Sequence, residues 1–87
     1  MEERTVELVF NEEQMKQIEN GFKNGLSINQ VQVYANPKFT PAQMREIGLG
    51  FKQGLTFDQI ISYADPNLSV WKMKKMRCEI LDNSQKE

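Results

Sequence analysis

Histidine is missing from the chain altogether, and with it go the usual general base and the commonest nitrogen ligand of metal ions. A single cysteine, Cys78, is present. Alone it makes no disulfide within the chain, no Cys–His nucleophile pair and no Cys-x-x-Cys zinc motif, and a reducing compartment is expected. No apolar run approaches the roughly 18 residues that suggest a membrane span. The opening Met1-Glu2-Glu3-Arg4 is acidic and leads into a short apolar stretch, unlike a secretory signal, so the expected location is cytoplasmic. An excess of either charge is lacking too, since 11 Lys plus Arg face 12 Asp plus Glu. A protein living mainly by phosphate contacts shows a clear basic excess, so bulk charge gives nucleic acid no support. The glycines form no phosphate-cradling loop, because they fall within or at the ends of capped helices rather than between a strand and a helix. Glu12, Glu13, Glu46, Asp58 and Asp65 fall near helix starts or ends, where dipole and capping roles account for them. No catalytic residue, cofactor site, metal site or small-molecule substrate is expected, and the chain does not read as an enzyme.

What is present is repetition. Residues 11–39 read NEEQMKQIENGFKNGLSINQVQVYANPKF, and residues 40–68 read TPAQMREIGLGFKQGLTFDQIISYADPNL. Aligned without a gap, they are identical at 12 of 29 positions, and Lys16/Arg45, Ser27/Thr56, Val31/Ile60 and Asn36/Asp65 are conservative. Chance does not produce this in 87 residues, so a helical repeat is expected. Continuing the register sets Ser69 on Thr40, Met73 on Met44 and Met76 on Ile47, so a third copy begins and stops after its first helix.

Each position in the unit has a physical role. Asn11, Thr40 and Ser69 carry side-chain oxygens that cap a helix start, and Gln14 and Gln43 stand three residues on, as a capping box requires. Phe10, Phe39 and Leu68 precede the caps, with Met15, Met44 and Met73 at the fourth helical position, giving three hydrophobic staples. Pro41 sits in a first helical turn, where a missing N–H does no harm. Met15, Ile18 and Phe22, like Met44, Ile47 and Phe51, form an apolar stripe at helical spacing. Gly25 and Gly54 end these helices as left-handed caps, followed by Leu26 and Leu55. Ser27 and Thr56 then cap a short second helix, with Gln30 and Gln59 completing the boxes, and Pro37 and Pro66 turn the chain after it.

The pattern Gln-Met-x-x-Ile, Gly-x-x-x-Gly-Leu, Tyr-Ala-Asx-Pro resembles tandem short helical repeats in uncharacterised proteins of Gram-positive bacteria and their mobile elements. The resemblance spans roughly residues 10–76. It departs where the third unit loses its glycine and second helix, and it implies a fold but no activity. Between the copies, Asn20 and Gln32 become Leu49 and Ile61. A middle unit has neighbours on both sides, so burial is expected at both positions.

Two features stand out as carriers of function. Gly21 to Val31 and Gly50 to Ile60 match the core of a helix-turn-helix, with a small residue four before the turn glycine. In a DNA-binding version the short helix would offer Asn29, Gln30 and Gln32, or Asp58, Gln59 and Ser62, to base edges. Neither short helix contains Lys or Arg, so the term that dominates DNA affinity is missing there, and close helix packing asks for the same small residues. The second feature is the last helix, from Val70 to about Leu81. At 100° per residue its apolar side chains, running from Met76 round to Trp71, sweep roughly 220°, against about 100° for a helix packed on one side. Either an N-terminal arm, with Val6, Leu8 and Phe10 alternating like a short strand, covers the surplus, or Trp71, Cys78 and Leu81 form a contact patch for a partner or a second copy. Lys72, Lys74, Lys75 and Arg77 cluster on the same helix, as a solvated face or a weak anion contact.

The expected protein is therefore a single all-α domain, a solenoid-like array of two helix-turn-helix repeats plus a half repeat. Its five helices alternate long and short. Its parts are an extended arm (1–10), repeat 1 (11–39), repeat 2 (40–68), a truncated third helix (69–83) and a disordered tail (84–87). Its expected role is non-catalytic protein–protein interaction, as a small adaptor or regulatory protein meeting another protein or itself. The alternative is a nucleic-acid-binding regulator using the helix-turn-helix-like turns and the basic last helix.

Overall fold

A computed structural model describes residues 10–85 of the protein. Among them lie five helices and no strand: α1 (Glu12–Lys23), α2 (Ile28–Tyr34), α3 (Pro41–Lys52), α4 (Phe57–Ile61) and α5 (Val70–Gln85). The strand expected in the arm 1–10 falls, except for Phe10, outside the described residues.

The first four helices begin the same way. Asn11, Ser27, Thr40 and Thr56 have extended backbone, and each side-chain oxygen accepts from the amide of a glutamine three residues on. That glutamine's Oε1 in turn accepts from the cap's own N–H, at 2.8–2.9 Å. Two orphan amides are satisfied at each start. α5 has half of this device: the Ser69 hydroxyl accepts from the Lys72 amide at 3.1 Å, and a lysine stands where the glutamine would.

The long helices also end alike. Gly25 and Gly54 adopt φ of 87° and 93°, the only positive values among the described residues. After each, the leucine amide reaches back to the carbonyl of Gly21 or Gly50, and the glycine amide to that of Phe22 or Phe51. This is the double bond pattern of a Schellman cap, which needs a left-handed residue at that point. Asn36 and Asp65 shape the Pro turns, each side-chain oxygen accepting an amide two residues on at 2.9 Å. An oxygen is all that position needs, which explains why Asn and Asp alternate there.

α3 packs against all four other helices. Its Met44, Ile47 and Phe51 join Val31, Tyr34, Phe39, Leu55, Ile60, Tyr63 and Met73 in one buried core. The glutamines of the long-helix capping boxes extend this packing in polar form. Gln14 is buried, and its Nε2 donates to the carbonyls of Pro37 and Phe39 at 3.1 and 2.7 Å. Gln43 does the same to Pro66 and Leu68, at 3.0 and 2.7 Å. One carboxamide thus caps a helix and ties the following Pro turn to it.

Three sequence expectations need correction. Ile61, expected to be buried as part of a middle unit, is 61% exposed, because α4 turns only its Ile60 face to the core. Leu49 is half-buried and lines a groove between α1 and α3. The last helix runs on to Gln85, past the boundary at 83, so the expected tail 84–87 begins as helix. Residues 86–87 lie outside the described residues.

Candidate functional site

α5 docks on α3 through one side only. Met73 is fully buried, and Met76, Ile80 and Leu81 pack against the core around it. Trp71 lies about 160° round the helix from Met73. It is 70% exposed, the highest exposure of the large apolar side chains among the described residues. Cys78 follows seven residues later, about 20° from Trp71 in projection, and is exposed with a free thiol. Lys75, one turn above Trp71, holds its Nζ 5.6 Å from the ring centroid, within cation–π range.

The structure divides the two groups named from sequence. Trp71 and Cys78 share the outer face. Leu81 does not join them, because it is rotated a further 60° or so toward the core and is half-buried there. Lys72, Lys74 and Lys75 are exposed. Arg77 is the correction: it is 5% exposed and turned inward, so it is no part of an anion-contacting surface. Its Nε donates to Glu46 Oε1 at 3.0 Å and its Nη1 to Gln53 Oε1 at 2.6 Å. A buried guanidinium needs such partners, and both come from α3 or its cap. Sequence position gives Glu46 only a dipole or capping role and gives Gln53 none. The available signal is Arg77 itself, which interrupts the apolar arc of α5 between Met73 and Leu81.

The small residues of the helix-turn-helix-like turns also find their reason. Tyr34 and Tyr63 lie buried across α1 and α3, donating their hydroxyls to the carbonyls of Gln17 and Glu46 at 3.4 and 3.1 Å. A Cβ on Gly21 or Gly50 would run into the tyrosine hydroxyl. Burial pushes both phenols above the ordinary value of 10.0. At Tyr63 the Arg77 charge pulls the other way, and the Glu46 charge adds to the rise. These glycines serve helix-to-tyrosine packing, which requires no nucleic acid.

No group of three or more His, Cys, Asp or Glu among the described residues is placed to hold a metal ion, and no described helix is long and apolar enough to cross a membrane. Comparison of the chain with protein-family models, curated proteins and solved structures finds no match.

Proposed function

We propose that this protein is a non-catalytic interaction module: a solenoid-like stack of two helix-turn-helix units and a half unit that meets another protein, or a second copy, through the outer face of α5. The observation that carries the reading is Trp71. Met73, Arg77 and Ile80 already dock α5 on the core, so folding makes no demand on Trp71, yet a tryptophan stands in water there. Tryptophan is the residue type most enriched at binding hot spots, where truncation commonly costs about 2 kcal/mol or more. Cys78 extends the same face, and Lys75 braces the indole. The resemblance to tandem helical repeats belongs to the same proposal, as does a cytoplasmic setting. The nucleic-acid alternative is weakened by Arg77, which is held by Glu46 and Gln53 and leaves three exposed lysines for the basic face.

Trp71→Ala separates binding from folding. The variant should melt within about 0.5 kcal/mol of wild type, as surface changes do. It should lose self-association in sedimentation equilibrium, or affinity for a purified partner, by about tenfold or more. A loss of roughly 3 kcal/mol in stability, with shielded Trp71 fluorescence in the dilute monomer, would make the residue ordinary core and end the proposal.

A further inference from the structure

Arg77 and the surfaces it bridges have counterparts 29 residues earlier, and one of those counterparts is empty-handed. Glu46, Gln53 and Tyr63 surround the guanidinium between α3 and α5. The residues in the same register are Gln17, Asn24 and Tyr34, and where Arg77 should stand there is Gly48. These four line a single groove of about 460 Å³ between α1, α2 and α3. The groove is the arginine's place without the arginine.

Nothing in the backbone or packing requires glycine there. Gly48 has ordinary helical geometry, and the nearest atoms to an added Cβ would be those of the Tyr34 ring and hydroxyl, at 3.5–3.6 Å, which is normal contact. Glycine in a helix interior is otherwise unfavourable. It does keep the groove open.

The electrostatics are reversed relative to the Arg77 site. Gln17 replaces the carboxylate of Glu46, and Lys52 stands in the register of Leu81. Arg45 and Lys52 lie one turn before and one turn after Gly48, both exposed, neither in an ion pair among the described residues. They stand about 10 Å apart along α3. Facing them on α1 and its C-cap are the carboxamides of Gln17, Asn20 and Asn24, each able to donate and to accept. No acidic residue lines the groove. A cationic guest is therefore disfavoured. The groove presents two cations at its ends, and a row of amides suited to a peptide's own N–H and C=O groups.

We propose that this groove binds an extended acidic peptide segment, with carboxylates two residues apart set toward Arg45 and Lys52. An extended chain advances about 3.3 Å per residue, so carboxylates two residues apart stand about 6.6 Å from one another on the same side of the chain, and the long Arg45 and Lys52 side chains converge across the remaining few ångströms. The site is separate from the outer face of α5.

The test is calorimetric titration of the full chain with a blocked Glu-Ala-Glu peptide, a blocked Gln-Ala-Gln peptide and glutarate at low salt. Binding by the Glu peptide, about tenfold or more tighter than by the Gln peptide and weakening with salt, is expected. Trp71→Ala should leave this titration unchanged, whatever it does at α5. Arg45→Ala with Lys52→Ala, both on the exposed rim, should abolish the preference without altering the melt. Gly48→Arg should refill the groove, keep the fold and remove binding. Equal binding of the two peptides, glutarate binding as tightly as the Glu peptide, or wild-type binding by Gly48→Arg or by the double rim variant would each overturn the proposal.

Discussion

Gly50 and Gly54 lie one helical turn apart and are glycines for different reasons. Gly54 has φ of 93°, and a methyl group added to it would meet nothing within 4 Å, so its requirement is purely conformational. Gly54→Ala should cost about 1 kcal/mol through the left-handed backbone. Gly50 is ordinary helix, but its Cβ position is taken by the Tyr63 hydroxyl, with Ile60 Cδ1 at 2.6 Å beside it. Gly50→Ala should therefore cost about 2 kcal/mol by overpacking. A double-mutant cycle in thermal or denaturant melts tells the mechanisms apart. In a Tyr63→Phe background the hydroxyl is gone, and the loss at Gly50→Ala should shrink while the loss at Gly54→Ala stays the same. An undiminished Gly50→Ala loss would mean the tyrosine is not what the glycine serves. Sequence spacing points to a packing role for Gly21 and Gly50, but the atom they make room for comes from a tyrosine 13 residues later.

At the level of the helix, what is legible in the sequence is local. Caps, boxes, staples and left-handed glycines act within a few residues, so spacing alone assigns Asn11, Thr40, Gly25 and Gly54. It does not reach the second role of Gln14 and Gln43, because the carbonyls they bind lie 23 and 25 residues away. Arg77 escapes sequence reasoning for the same reason, since its partners are 24 and 31 residues distant and its charge alone suggests solvent. Ile61 fails differently: a rule about middle units does not say which face of a five-residue helix turns inward. The two classes of glutamine give a direct test. Gln30 makes a capping box in an exposed setting, so Gln30→Glu keeps its acceptor oxygen near a helix start and should stay within about 0.5 kcal/mol of wild type. Gln43→Glu keeps the same acceptor but sets a carboxylate against the carbonyls of Pro66 and Leu68, losing a donor in a buried place. It should cost about 2–3 kcal/mol in denaturant melts at neutral pH. Equal behaviour of the two variants would reduce Gln43 to a plain cap.

For the molecule as a whole, α3 is the common neighbour of every other helix, and the two tyrosines of the chain report on both halves of its surroundings. Tyr34 packs at Gly21 and Gly48, between the first long helix and α3, while Tyr63 packs at Gly50 beside Arg77 and Glu46. Both phenols are buried and held protonated above the ordinary value of 10.0. The folded state thus binds these protons more tightly than the unfolded chain does. Their contribution to stability is fully present below pH 10 and is lost as pH rises from there toward the folded values. With no exposed tyrosine to titrate first, phenolate absorbance should stay low through pH 10 while the helices persist. It should then rise for both residues together with the loss of helical circular dichroism, since a small domain built around one central helix unfolds as a unit. Tyr34→Phe and Tyr63→Phe, measured singly, should each halve the absorbance change and leave the remaining tyrosine titrating at the same pH as helicity is lost. If one tyrosine ionised near its ordinary value with the circular dichroism intact, that half of the contact around α3 would open independently, and the picture of α3 as a single cooperative hub would fail.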